Sequence, residues 1–418
     1  MSLRRAVVAL TIFASACGAK TGLRVPPIPD AGPDAGRDSG RDAMVVDAFV
    51  PAGWCVEVPP MQPPTELRID FVARIEEADV YFLVDVTGSM GGEIATIQSR
   101  IADTIAPGIA ATIPDVRLSL GRFADYPFSP YGSDGDDVFR LVQSSTGDLA
   151  TFVAATHRLA LQSGGDPPEA YVPALYLSAT GNGIVGFVPG SSCADGTVAY
   201  PCFSQRGARI FLLFTDAEAH DGPGRSNQYG ADVVPTPPSY NETVAALRSI
   251  GAKVIGIFSG TPDDGNGLED VTALARDTGA VTSDGTPLVF PIGGDGAGLG
   301  ESVVDAVRTL VTDVPISVDV VLRDAPGDAV DVTTFVRGVV TAGAIPADGA
   351  IDRGDHFDAV RPGTRIAFRI LLQDDAIPRM ATAQRYRMHV ILRGDGVTEL
   401  EVREVDIVVP GLDGSGCD

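Results

Sequence analysis

The chain reads as an α/β protein: a doubly wound, mostly parallel sheet inserted in a small β-sandwich. Three observations predict this. Apolar strands and amphipathic helices alternate from residue 78 to 314, the pattern of a parallel sheet covered on both faces. From 315 to 410 the helical period disappears and strands follow one another between turn residues. A lone strand-like stretch, Glu66-Leu67-Arg68-Ile69-Asp70-Phe71-Val72-Ala73-Arg74, precedes the α/β part. Placed in the sandwich, that stretch makes the α/β part an insertion.

Within the α/β part, residues 79–85 form the first strand, the apolar run Val80-Tyr81-Phe82-Leu83-Val84 ending at Asp85. A helix is predicted over 91–105, where Ile94, Ile97, Ile101 and Ile105 share one stripe. Strands follow at 116–123 and 138–143, and helices at 147–160 and 168–179. Arg209-Ile210-Phe211-Leu212-Leu213-Phe214-Thr215-Asp216 is a second buried strand that ends on an aspartate. Ser239-Tyr240-Asn241-Glu242 is a capping box that opens a helix reaching about Gly251. It also explains Asn241-Glu242-Thr243 better than glycosylation does. A strand at 253–258, a helix at 267–278, a strand at 287–292 and a helix at 299–312 complete the set. In the sandwich, strands are expected at 316–322, 365–372, 386–392 and 400–409, separated by turns such as Pro362-Gly363 and Gly394-Asp395-Gly396. The first sandwich strand occupies 65–77, and 411–418 is a C-terminal tail.

The N-terminal 64 residues belong to neither part. Arg4 and Arg5, the apolar run 6–13 and Ala14-Ser15-Ala16-Cys17 describe an exported segment. The segment resembles a bacterial lipoprotein signal, which implies cleavage before Cys17, lipidation of Cys17 and a lipid-anchored place in the cell envelope, at the outer membrane or cell surface. Residue 14 is Ala where such signals usually carry Leu. The run is too short to span a bilayer. Residues 18–64, with their Gly, Pro and Asp repeats, read as a disordered acidic tether.

The 418 residues carry a formal net charge of -24, with 44% hydrophobic residues. Mean hydropathy is +0.15 and the pI is about 4.4. A chain this acidic argues against nucleic acid as a partner, because phosphate binding needs a basic surface. Of five cysteines, four lie beyond the signal. Four cysteines allow three pairings. Cys193 with Cys202 would close a local loop, and Cys55 with Cys417 would tie the two ends of the folded region. His157, His220, His356 and His389 stand singly, with no zinc-type spacing, which argues against a zinc centre.

The chemistry is expected at the carboxyl ends of the strands, where open α/β sheets bind ligands. Asp85-Val86-Thr87-Gly88-Ser89 sets one carboxylate and two hydroxyls at alternate positions of a turn. Oxygen-only donors suit a hard cation such as Mg²⁺ or Mn²⁺. Gly164-Gly165-Asp166-Pro167-Pro168-Glu169 is a rigid turn that sets Glu169 at a helix start, and Asp216 ends a buried strand. Together these stretches supply three carboxylates, Asp85, Glu169 and Asp216, and two hydroxyls, Thr87 and Ser89, from three loops.

This ordered set resembles the von Willebrand factor A domain and its metal-ion-dependent adhesion site. Asp85, Thr87 and Ser89 match the family's Asp-x-Ser/Thr-x-Ser element, and Asp216 its later strand-end aspartate. Glu169 matches the Pro-Glu turn of integrin β subunits. The segments 121–131 and 211–220 look like integrin β strands, and the interrupted sandwich looks like their hybrid domain; the resemblance spans roughly residues 65–410. It implies that Thr87, Ser89 and Glu169 bind Mg²⁺, that Asp85 and Asp216 act directly or through water, and that one open position takes a carboxylate from a protein or polysaccharide partner. Integrin β subunits have two adjacent aspartates where this chain has Gly92-Glu93, so only Glu93 is left for a regulatory calcium. Asp125, Asp166, Pro168 and Glu169 match a further Ca²⁺ site of that family, with Gly164 in place of an asparagine. No P-loop, Gly-x-Ser-x-Gly elbow or nucleophile–base pair is present, which points away from an enzyme. A metal-dependent hydrolase and a domain whose ion is only structural are the alternatives. Ser133-Asp134-Gly135-Asp136-Asp137 reads as a solvated turn. Residues 221–238 read as a surface loop beside the metal rim.

Overall fold

The computed structural model describes residues 54–261 and 265–417. Two strands, β1 (Trp54–Glu57) and β2 (Thr65–Val72), precede the α/β part, which is built round β3 (Glu77–Asp85). Residues 78–85 are all buried. A strand buried on both faces needs cover on both. Val80, Phe82 and Val84 belong to one apolar core, and Tyr81 and Leu83 to another.

β4 (Asp115–Phe123), β5 (Arg140–Thr146), β8 (Ala208–Thr215), β9 (Ala252–Phe258) and β10 (Val289–Pro291) complete the sheet, in the order β10-β9-β8-β3-β4-β5. Neighbours are parallel except β4 and β5. A two-stranded hairpin, β6 (Thr197–Val198) with β7 (Phe203–Ser204), lies outside it. The first core takes residues from helices α1 (Gly91–Arg100), α2 (Ala106–Thr112), α3 (Leu149–Thr156) and α7 (Leu299–Asp313). The second takes them from α4 (Tyr171–Thr180), α5 (Tyr240–Ser249) and α6 (Gly267–Asp277). The capping box is formed: Ser239 Oγ accepts from Glu242 N while Ser239 N donates to Glu242 Oε2.

Three expectations change here. The helix predicted over 91–105 runs on to Thr112 through a π-type turn at Ile101–Ile105, just before Pro107. Proline lacks the amide that the regular ladder needs, and a widened turn accommodates it. The strand predicted over 138–143 starts at Arg140 and ends at Thr146. The expected tether is too long, because residues 54–64 are not loose. β1 pairs in parallel with β17 (Thr398–Val409), and Val56 and Val58 are buried. Alternate apolar residues among prolines gave this strand its buried face. Residues 1–17 with Cys17, and residues 18–53, lie outside the described residues.

The sandwich has two sheets over one core. β11 (Ile316–Asp324), β13 (Ile351–Asp352), β14 (Phe357–Val360) and β16 (Gln384–Gly394) join β1 and β17 in one. β12 (Val336–Ile345), β15 (Arg365–Leu372) and β2 form the other. β2 pairs with β15 along its whole length, so the α/β segment leaves and re-enters the same sandwich. The sequence shows no clear pattern for β12, because Gly338 and Gly343 interrupt it and none of its residues is fully buried. Cys55–Cys417 and Cys193–Cys202 are both bonded, with Cα atoms 5.7 and 5.3 Å apart. Among the described residues no helix is long and apolar enough to cross a membrane.

Candidate functional site

β3 and β8 run side by side, so their carboxyl ends deliver Asp85 and Asp216 to one rim. Asp85 is fully buried. Its Oδ1 accepts from Thr87 N at 2.9 Å and from Thr87 Oγ1 at 2.7 Å, and its Oδ2 accepts from Thr215 Oγ1 at 2.8 Å. Thr87 Oγ1 lies 3.4 Å from Ser89 Oγ, which donates to Asp216 Oδ1 at 3.2 Å. Asp85, Thr87, Ser89 and Asp216 thus form one string of oxygens that starts at a buried carboxylate and passes through the exposed Ser89 to the half-buried Asp216. Thr215, which sequence reasoning passed over, fixes the inner carboxylate.

Glu169 reaches the same rim from another loop. Gly164 has φ +67°, and a Cβ there would stand 3.3 Å from Glu169 Oε1 and 3.2 Å from Thr87 Cγ2. At Gly165 a Cβ would fall 2.2 Å from the carbonyl oxygen of Pro130. Only glycines let this turn pack so closely. Asp136 holds it from behind, accepting from Ser133 N (2.8 Å), Ser163 N (3.0 Å) and Gly164 N (3.1 Å). In the solvated turn expected at 133–137, Ser133, Asp134 and Gly135 are exposed as expected, but Asp136 turns inward and acts as a buried staple. Glu169 N donates to the carbonyl of Glu218, and His220 N to the carbonyl of Glu169, at 2.9 and 3.0 Å. These bonds lock the turn to the segment beyond β8.

The electrostatics of the rim are unfavourable for a bare carboxylate cluster. Burial pushes the Asp85 carboxyl up to about 7, with Asp216 adding to the rise against the hydrogen bonds of Thr87 and Thr215. Glu169 is pushed up to about 11, first by burial and then by Asp85, Asp125, Asp216 and Asp166. Burial also raises Asp125 well above the usual carboxylate range, against hydrogen bonds from Tyr229 and Tyr126. Among the described residues no Lys or Arg forms an ion pair with Asp85, Asp125, Asp166 or Glu169; the basic group beside two of them is His220. Glu169 Oε2 is buried without a hydrogen-bond partner. A divalent cation fits these donors, since it would offset the charge of Asp85 and Glu169, with which no Lys or Arg among the described residues forms an ion pair.

The residues expected in the further cation sites part company. Asp125, Asp166 and the turn carrying Pro168 lie together, but Glu93 is not with them. Glu93 is buried beside Ser259, Asp216 and Asp295, and burial raises its pKa. The histidine set aside in the sequence enters instead: Asp125, Asp166 and His220 each offer a ligand atom, all within 4.8 Å of one another. Spacing along the chain carries no sign of this, because the three come from three loops. The carboxylates of Asp85, Glu169 and Asp216 do not close that tightly; hydroxyls stand between Asp85 and Asp216.

No family model matches the chain, and no curated protein matches it. Among solved structures it is similar to a von Willebrand factor type A protein from Catenulispora acidiphila, at 13% identity and a TM-score of 0.35, over 85% of this chain and 72% of that one. It is also similar to the pilus adhesin SpaC from Lactobacillus rhamnosus GG in an open conformation, at 11% identity and a TM-score of 0.34. That match covers 84% of this chain and 46% of the adhesin, under half of its length. Likenesses at these scores say nothing of function, and the chemistry rests on the rim itself.

Proposed function

We propose that this chain is a non-enzymatic binding module, lipid-anchored through Cys17 in a bacterial envelope. It would hold Mg²⁺ or Mn²⁺ at the rim and bind a carboxylate of a protein or polysaccharide partner through that ion. One observation carries this reading. Asp85, Thr87, Ser89 and Asp216 form a continuous oxygen string that starts at a buried carboxylate and passes through an exposed hydroxyl, and Glu169 beside it keeps a buried oxygen unpartnered. Thr87, Ser89 and Glu169 would hold the ion, with Asp85 and Asp216 orienting the hydroxyls or binding it through water. Neutral hydroxyls leave the ion electron-poor, and the exposed Ser89 leaves room for an outside oxygen. The donor set resembles that of a von Willebrand factor A adhesion site, and the sandwich interrupted by the α/β segment is consistent with the integrin β version.

The test is isothermal titration of Mg²⁺ into the metal-stripped protein, beside Asp85→Ala. Saturable binding lost in the variant, on the order of 100-fold or more, supports the reading. Equal binding in both proteins, or none in either, overturns it. If metal binds and no carboxylate-bearing ligand shows chelator-sensitive attachment, the ion is structural. Hydrolytic turnover that vanishes in Asp85→Ala would instead make the chain an enzyme.

A further inference from the structure

We propose that Asp125, Asp166 and His220 form a second cation site, built for a transition-metal dication of the Zn²⁺ class rather than for Ca²⁺ or Mg²⁺. His220 Nε2 lies 3.4 Å from Asp125 Oδ2 and 3.3 Å from Asp166 Oδ2. Asp125 is fully buried and His220 nearly so. His220 Nε2, Asp125 Oδ2 and Asp166 Oδ1 have no hydrogen-bond partner. Two of these unpartnered atoms, His220 Nε2 and Asp125 Oδ2, face each other, and the other oxygen of Asp166, Oδ2, stands beside the same nitrogen.

The surroundings fix which atoms face that space. His220 Nδ1 lies 2.7 Å from the carbonyl oxygen of Asn227. A carbonyl only accepts, so Nδ1 carries a proton, and Nε2 is the ring atom turned to the two carboxylates. A partner on the far nitrogen is the usual support of a metal-binding histidine. Asp125 is held likewise: its Oδ1 accepts from Tyr126 N at 2.6 Å and from Tyr229 Oη at 2.7 Å, leaving Oδ2 turned to the histidine. The Tyr229 ring stacks on His220 at 4.1 Å and sets the plane of the imidazole. The 221–238 loop supplies both Asn227 and Tyr229, so its role is to support this site.

An acceptor facing two acceptors is repulsive unless a proton or a cation lies between. Charge-assisted N–H···O bonds run at about 2.7–2.9 Å, shorter than the distances here. Ligand atoms round a tetrahedral ion with bonds of about 2.05 Å lie about 3.3 Å apart, which matches them. Imidazole with carboxylates selects first-row transition dications, whereas Ca²⁺ and Mg²⁺ take oxygens alone. Asp166 is 28% exposed and offers a way in. The histidine therefore changes the class of ion from the calcium that the integrin resemblance implied.

The experiment is titration of Zn²⁺ alone, and separately of Mg²⁺ alone, into the stripped full chain. It compares wild type, His220→Gln and Asp125→Asn, with Co²⁺ absorption as a second readout. The expected result is one Zn²⁺ bound by wild type, affinity weakened on the order of 100-fold in each variant, and an intense tetrahedral Co²⁺ spectrum lost with His220. Mg²⁺ titration should be unchanged in His220→Gln, which also certifies its fold; circular dichroism does so if wild type binds no Mg²⁺. Absence of Mg²⁺ binding sinks the rim reading alone. Zn²⁺ binding equal in wild type and His220→Gln overturns the second site. So does absence of Zn²⁺ binding with an imidazole that stays protonated at neutral pH, which would make the cluster an ion pair.

Discussion

Strand β3 carries two buried aspartates six residues apart, Asp79 near its start and Asp85 at its end, 1% and 0% exposed. Burial raises both, Asp79 to about 6 and Asp85 to about 7. Their company differs. Asp79 accepts from Ser145 Oγ and from Ser204 N, has the Arg117 guanidinium 3.8 Å away, and feels the charge of Arg209. Asp85 accepts three hydrogen bonds but has a carboxylate, Asp216, as its charged neighbour. At the start of the strand the fold supplies its own cations. At the end, among the described residues, no Lys or Arg forms an ion pair with Asp85, and hydrogen-bond donors alone face its carboxylate. Two buried carboxylates of similar pKa thus have different surroundings, and the neighbouring charges distinguish them.

The largest effect should come from breaking the self-sufficient end. Asp79→Ala would leave Arg209, itself 4% exposed, without its counter-charge. It should cost about 3–5 kcal/mol in denaturant unfolding while any Mg²⁺-induced rise in melting temperature survives. The loss of that rise with Asp79→Ala would show that the two ends are not independent.

The next effect is pH dependence. Both folded-state pKa values are raised, so the stability these groups contribute is full below about pH 4 and is lost as pH rises through 6 to 7. Unfolding of the stripped protein should become easier between pH 5 and 7, by about 4 kcal/mol, with Asp85 supplying the larger part. Saturating Mg²⁺ should remove the part due to Asp85 and leave the part due to Asp79. Identical pH profiles with and without Mg²⁺ would contradict the contrast.

The smallest effect should come from Asp85→Asn. The amide keeps the size and most hydrogen bonds while removing a charge that faces Asp216. In the stripped protein it should be neutral or stabilising, by up to about 1 kcal/mol, with no further gain from Mg²⁺. A large loss of stability would place Asp85 in the same class as Asp79.

Local pattern made much of the architecture legible in advance. Continuous apolar runs marked β3 and β8, and the polar cap at Ser239 marked the start of α5, because burial on both faces and capping leave strong local signals. Oxygen donors at alternate positions put Asp85, Thr87 and Ser89 on one turn for the same reason. Weak local patterns hid the rest. Glycines and partial burial concealed β12, and prolines concealed β1, whose partner lies near the opposite end of the chain.

What the sequence determined by itself is the inventory: alternating elements, acidic rim residues and four cysteines able to pair. Only the tertiary structure decided which donors share a space. It brought His220 to Asp125 and Asp166, folded Tyr229 over them, turned Asp136 inward as a staple and kept Glu93 apart. These choices depend on how three loops pack at one edge of a sheet. Such contacts join residues far apart in the chain, and no local period records them.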